Sequence, residues 1–152
     1  VEADEVTYSL HIAIRSEIER GLFGGRLDVS ELPGVWNDLY AKYLQVRIDD
    51  DSEGVLQDIH WSLGVYGGFQ GYALGNIYGG MFLKQMDKQL GDWHSEVAKG
   101  RPTVAIDWLR ENAQHWASLY DADELMKRAT GSSLTPEPFI EYLRKKHDGL
   151  WR

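Results

Sequence analysis

The sequence predicts an all-α protein. Apolar residues recur at three-or-four spacing along most of the chain. No stretch alternates apolar and polar residues as a half-buried strand does. Glycines, prolines and short polar residues fall where the periodic segments end. With 152 residues, 43% of them hydrophobic and 26% charged, the chain has the material for one domain with a sizeable core.

The first helix is predicted from about Glu2 to Arg20, stopping at the glycines of "GLFGG". Val6, Leu10, Ala13, Ile14 and Ile18 form its apolar stripe. A second helix fits Leu32 to Leu44, with Ser30 as its N-cap and Pro33 in its first turn. "DDDSEG" reads as a loop, and Ser52 as the cap of a helix carrying "GVLQDIHW". "GVYGGFQG" then forms a turn, because four glycines in eight positions favour tight backbone passages.

A long helix follows from about Tyr72 to Leu90, whose Gly75, Gly79 and Gly80 would let a neighbour approach closely. Four shorter helices complete the pattern: "DWHSEVAKG", "TVAIDWLRENAQHWASLY", "DADELMKRATG" and "TPEPFIEYLRKKH", the last two each opened by a cap. The expectation is a helical domain of about seven to eight helices, without internal repeats or low-complexity tracts.

Charge narrows the function classes. A net charge of −8 and a pI near 5.0 argue against nucleic-acid and anionic-membrane partners, which need clustered Lys and Arg. No apolar run approaches membrane-spanning length. The chain has no cysteine, which excludes disulfides and thiolate metal sites and leaves a cytoplasmic location as the expectation. Six tryptophans and eight tyrosines predict large packed contacts or an aromatic pocket wall.

The unusual stretch is "GVLQDIHW". On a helical wheel Gly54, Gln57, His60, Trp61 and Gly64 share one side, while Val55, Leu56, Ile59 and Leu63 share the other. Asp58 lies at the border. Two readings stay open. Gln57 and His60 are either satisfied polar groups of the core, with Trp61 filling a gap, or the wall of a pocket in which Asp58 sets the His60 tautomer. In the first helix Asp4, Tyr8, His11 and Arg15 recur at four, three and four positions and form a polar stripe. That stripe reads as a solvated face with an intrahelical ion pair, although Tyr and His within it also fit a hydrogen-bonded wall.

The remaining chemistry is sparse. His94 and His115 sit beside tryptophans and His147 follows "RKK", but no histidine pair has zinc-site spacing and there is no HExxH. No serine stands in a nucleophile elbow. "GGFQGY" has neither a preceding strand nor a following Lys, so it fails as a phosphate loop.

"GVLQDIHW" resembles the GxxQDxHW motif of the carboxypeptidase Taq family of metallocarboxypeptidases, with Gly54, Gln57, Asp58, His60 and Trp61 at all five specified positions. "FQGYALGNIY" is similar to the family's FxxYxLGN-type segment, and "WLRENAQHWASLYDADELMKRATGSSLTPEPFIEYL" to its closing region. "VEAD", Val1 to Asp4, matches the last four positions of the family's IRxxAD motif, without the Ile and Arg. Where many relatives read FGYFP, this chain reads "YGGFQ", with Gly68 and Gln70 at the Tyr and Pro positions.

The resemblance implies that residues 1–152 are the C-terminal portion of a longer, mostly helical enzyme that removes amino acids from peptide C-termini. The HExxH ligands, a downstream Glu ligand and the catalytic Glu would lie on the absent N-terminal half, the expected partner. No metal ligand is expected here; zinc or cobalt would be bound by the full-length enzyme and activate a water. His60 and Tyr72 would hydrogen-bond to the substrate's terminal carboxylate or to the tetrahedral oxyanion. Gln57, Asp58 and Trp61 would support them, and Asp4 would position the missing motif Arg. A homodimer is also implied. The alternative expectation is a stand-alone, non-catalytic helical binding or regulatory module.

Overall fold

The computed structural model describes residues 3–149. Among them are eight α-helices and no strand: α1 (Tyr8–Phe23), α2 (Leu32–Leu44), α3 (Ile59–Ser62), α4 (Phe69–Gln89), α5 (Trp93–Ala98), α6 (Thr103–Asn112), α7 (Ala122–Thr130) and α8 (Glu137–His147). Single 3-10 turns occur at Val29–Glu31, Val55–Gln57 and Gln114–Trp116. The expected all-α class and helix number both hold. No helix among the described residues is long and apolar enough to cross a membrane. The chain divides into two compact units, Val1–Leu74 and Gly75–Arg152.

The first unit is built on α1 and α2. Ile14 and Ile18 of α1 meet Trp36, Leu39 and Tyr40 of α2, and Val55 closes the cluster. Trp36 and Tyr40, one helical turn apart, stack with ring centroids 4.7 Å apart. Only part of the expected α1 stripe forms this core: Val6 and Leu10 stay exposed. α1 also starts later than its periodicity suggested. Asp4 Oδ1 accepts the Val6 and Thr7 N–H groups at 2.9 and 2.8 Å, so a side-chain-capped turn precedes the helix. The predicted start at Glu2 lies outside the described residues. α2 itself starts after Glu31 without a side-chain cap bond, and the expected Ser30 cap is replaced by Asp28, which caps the 3-10 turn leading into the helix. Asp28 and Glu31 form a reciprocal capping box, and the Ser30 N–H and hydroxyl are both donors to Asp28.

The predicted helix over "GVLQDIHW" is divided at Asp58, which sits in extended backbone (φ −85°, ψ 112°) and caps α3 by accepting the His60 N–H at 2.8 Å. Ser52 does not cap it; its N–H and hydroxyl both bond to Asp50. The division also changes which faces are covered. Leu56, Ile59 and Leu63, read from the wheel as a core face, are 62–72% exposed.

The second unit packs Trp93 of α5 and Trp108 of α6 against Met86 of α4. The Trp108 indole N–H donates to Gln89 and the Trp93 indole N–H to Asp87, which satisfies both buried donors. α8 lies close to α4 at Gly80, where an added Cβ would stand 2.6–2.7 Å from the Phe139 backbone and Cβ. Gly79 has open space instead. The helix predicted from Thr103 to Tyr120 ends at Asn112, and a 3-10 turn follows. Ala117, with φ 45°, lies outside helical backbone altogether. Asp121 caps α7 as expected, accepting the Glu124 N–H at 2.8 Å, and Gly131 ends it at φ 78°. α8 opens without a side-chain cap bond.

Candidate functional site

Within the first unit, α1 and the segment from α3 to the start of α4 enclose a cleft of about 320 Å³. Ala3, Tyr8, His11, Ile12 and Arg15 line it from one end of the chain; His60, Phe69 and Tyr72 line it from the other. His60 and Tyr72, singled out from two different segments, therefore share one cavity. Their rings meet edge to face with centroids 6.1 Å apart, and Phe69 packs edge-on against His60 at 4.9 Å.

Behind these rings stands a charged network centred on Asp58, whose side chain is fully buried. Its Oδ2 accepts from Arg15 Nε at 2.5 Å. Its Oδ1 accepts the His60 backbone N–H at 2.8 Å and faces His60 Nδ1 at 3.2 Å. A buried carboxylate is tolerable only with a partner of this kind, and Arg15 supplies a full charge and directed donors. Arg15 also donates through Nη1 to the His11 carbonyl and to the Tyr40 hydroxyl, both at 3.1 Å. Its guanidinium lies over the Trp36 ring, 4.8 Å from the centroid.

His11 connects the cleft wall to α2. Its Nδ1 lies 3.1 Å from the Tyr40 hydroxyl. Burial, reinforced by the nearby Arg15 charge, pushes the His11 pKa below its ordinary value of 6.5, and the Asp4 charge opposes this. Burial raises the Tyr40 hydroxyl above its usual range, against the pull of Arg15.

A second buried carboxylate, Glu19, positions the loop before α4. It accepts the Trp61 indole N–H at 3.1 Å and the Gly67 N–H at 3.1 and 3.2 Å from its two oxygens. Gly67 has φ 73°, which glycine adopts without strain. Glu19 thus ties α1 to both the motif and the glycine turn.

The other expected residues go elsewhere. Trp61 packs against the first unit's core, its ring 5.9 Å from that of Trp36. Gln57 is exposed, and its amide nitrogen donates to the Ser52 carbonyl in its own loop. Asp4 caps the turn before α1; the Thr7 N–H and hydroxyl and the Val6 N–H hold its carboxyl below the usual carboxylate range. Gly54 is approached by Ile48, whose methyl would lie 3.0 Å from an added Cβ.

The polar stripe of α1 requires a correction. It is not a solvated face with an internal ion pair: Arg15 bonds to Asp58, 43 positions away, and Asp4 to its own turn. Tyr8, His11 and Arg15 face the cleft instead. The signal was present in their spacing, but the Asp58 partner was not legible from it.

Among the described residues no group of three or more His, Cys, Asp or Glu is disposed to hold a metal ion. The described residues therefore do not fit a metal.

Fold and cleft together define a helical segment that carries one polar, aromatic-walled site. The model of the carboxypeptidase Taq (M32) metallopeptidase family matches residues 1–147, and the chain belongs to that family. It is 39% identical over 151 residues to thermostable carboxypeptidase 1 of Thermus thermophilus, covering 99% of this chain and 30% of that protein. Carboxypeptidase 1 of Bacillus subtilis is 37% identical over 151 residues, with the same coverage. Among solved structures, the M32 carboxypeptidase of Deinococcus radiodurans R1 superposes with a TM-score of 0.92 at 37% identity, covering 98% of this chain and 30% of that one. Metallocarboxypeptidase 1 of Trypanosoma cruzi gives 0.90 at 34% identity, covering 95% and 30%. The chain spans about 30% of the length of the curated relatives it matches.

Proposed function

We propose that this chain is the C-terminal part of a metal-dependent carboxypeptidase and supplies the wall that receives the substrate's C-terminal end. One observation carries the reading. His60 and Tyr72 line a single cleft with the Arg15–Asp58 pair behind it, in a chain that matches a metallocarboxypeptidase family along nearly its whole length.

The chemistry follows from the donors. The Tyr72 ring is about half exposed, and its hydroxyl is suited to donate to a substrate oxygen. Asp58 takes up His60 Nδ1, which leaves Nε2 for the cleft; when the ring is charged, that nitrogen donates to a carboxylate or developing oxyanion. Asp58, Trp61 and Glu19 act as supports. Gln57 and Asp4 shape the loop and the helix start. The metal, zinc or cobalt, would be held by the N-terminal part of the same polypeptide, so the 152 residues alone would not hydrolyse peptides.

The test is made in the full-length enzyme. His60→Ala and Tyr72→Phe are expected to lower kcat/KM on blocked dipeptides about tenfold or more, the scale of a lost charge-assisted hydrogen bond, with melting temperatures unchanged. Wild-type kcat/KM in both variants refutes the assignment.

A further inference from the structure

Two histidines line the cleft, and both are held through Nδ1. Their partners differ, and the difference decides where each ring carries its proton. Asp58, paired with Arg15, is a carboxylate and can only accept. His60 must therefore carry a proton on Nδ1, and in its neutral form Nε2 has only a lone pair. A neutral His60 offers the cleft no donor.

His11 meets a different partner. The Tyr40 hydroxyl accepts a hydrogen bond from Arg15 Nη1 at 3.1 Å, and the residue is only 8% exposed. A buried hydroxyl proton needs an acceptor. The other partner of this hydroxyl is His11 Nδ1, also at 3.1 Å. Arg15 is a pure donor, so the phenol proton points to His11. The imidazole then accepts at Nδ1 and carries its own proton on Nε2.

We propose that His11 is a further substrate-contacting residue: its neutral ring donates Nε2–H to an oxygen of the peptide's C-terminal residue, and Tyr40 is the positioning residue that fixes this tautomer. The inference rests on the reading of the cleft as the substrate site. The two histidines then differ in kind, His60 donating from Nε2 only when charged and His11 donating while neutral. Burial and the adjacent Arg15 both oppose a charge on His11, which keeps it in the donor form that Tyr40 selects.

Steady-state kinetics of the full-length enzyme on blocked dipeptides with a free terminal carboxylate test the proposal, using His11→Ala, His11→Gln, Tyr40→Phe, the double variant of the last two, and His60→Ala. His11→Ala is expected to raise KM about three- to tenfold, the loss of one neutral hydrogen bond. His11→Gln, whose amide nitrogen is a neutral donor, should restore most of it. Tyr40→Phe should raise KM when His11 is present and leave it unchanged in the His11→Gln background, because glutamine has no tautomer to fix.

A wild-type KM in His11→Ala, alongside impaired His60→Ala, overturns the role of His11 and leaves the cleft assignment standing. Wild-type kinetics in both His11→Ala and His60→Ala overturn the cleft assignment, and this inference with it. Nitrogen-15 spectra of the histidine-labelled wild-type enzyme need no variant to fold. A protonated Nε2 with bare Nδ1 at His11 is expected, and a protonated Nδ1 there refutes the tautomer.

Discussion

Arg15 Nε lies 2.5 Å from Asp58 Oδ2, which joins the middle of α1 to the cap of α3 across 43 residues of chain. The Asp58 side chain has no exposure and that of Arg15 only 15%. Removing the cation leaves a buried carboxylate without its counter-charge. Arg15→Ala is therefore expected to cost about 3–5 kcal/mol in urea unfolding. The double variant Arg15→Ala/Asp58→Asn should recover part of that loss, since a neutral amide is less costly to bury. A double variant no more stable than Arg15→Ala contradicts the charge argument.

Glu19 bears on the loop before α4 in the same way. Two donors, Trp61 Nε1 and the Gly67 N–H, lose their acceptor in Glu19→Ala. The expected cost is about 2–4 kcal/mol, one desolvated donor at each end. Glu19→Gln keeps one acceptor oxygen and should cost less. Tryptophan fluorescence offers a second readout, because Trp61 is expected to shift to the red in Glu19→Ala if the loop loosens.

Gly79 and Gly80 are adjacent on α4 and should respond oppositely to alanine. At Gly80 the new Cβ meets Phe139 backbone atoms at 2.6–2.7 Å, and backbone cannot rotate away. Gly80→Ala should cost about 1–3 kcal/mol or more. Gly79 has nothing within 4 Å, so Gly79→Ala should gain up to about 1 kcal/mol from helix propensity. Thermal melts of the two variants make the comparison directly.

The His11 pKa is depressed by burial and by Arg15, so its effect on stability has a definite sign. Below about pH 6.5 the unfolded chain takes a proton that the folded chain refuses until the pH falls further. Stability should fall as the pH drops through that window and level off below the folded pKa. Asp4, whose carboxyl is held below 3.8, contributes stability that is present above that value and lost only at lower pH. The stability difference between His11→Gln and wild type is thus expected to change between about pH 6.5 and the folded His11 pKa, and to be constant above it. A difference independent of pH over that range shows that His11 does not titrate as described.

Much of the fold was legible in the sequence because helices are local. The three-or-four spacing of Ile14 and Ile18 and the cap signal at Asp121 act within one or two turns of chain. The breaks at Asp58 and Ala113 were not legible, because apolar periodicity continues through both while the backbone does not. His60 and Tyr72, singled out by their motifs, line one cleft. The stripe of Tyr8, His11 and Arg15 was visible but read as a solvated face, because a polar stripe has the same pattern whether it faces water or a carboxylate.

By itself, then, the sequence determined the all-α class, most of the helices, the family and the two motif residues, His60 and Tyr72, that line one cleft. Only the tertiary structure decided that Arg15 answers Asp58, that Glu19 holds Trp61 and the Gly67 turn, and that Gly80 rather than Gly79 admits α8. The physical reason is range. Helix propensity and capping are settled among near neighbours, whereas a buried charge selects its counter-charge wherever packing brings one within about 3 Å, and that partner was 43 positions distant for Asp58.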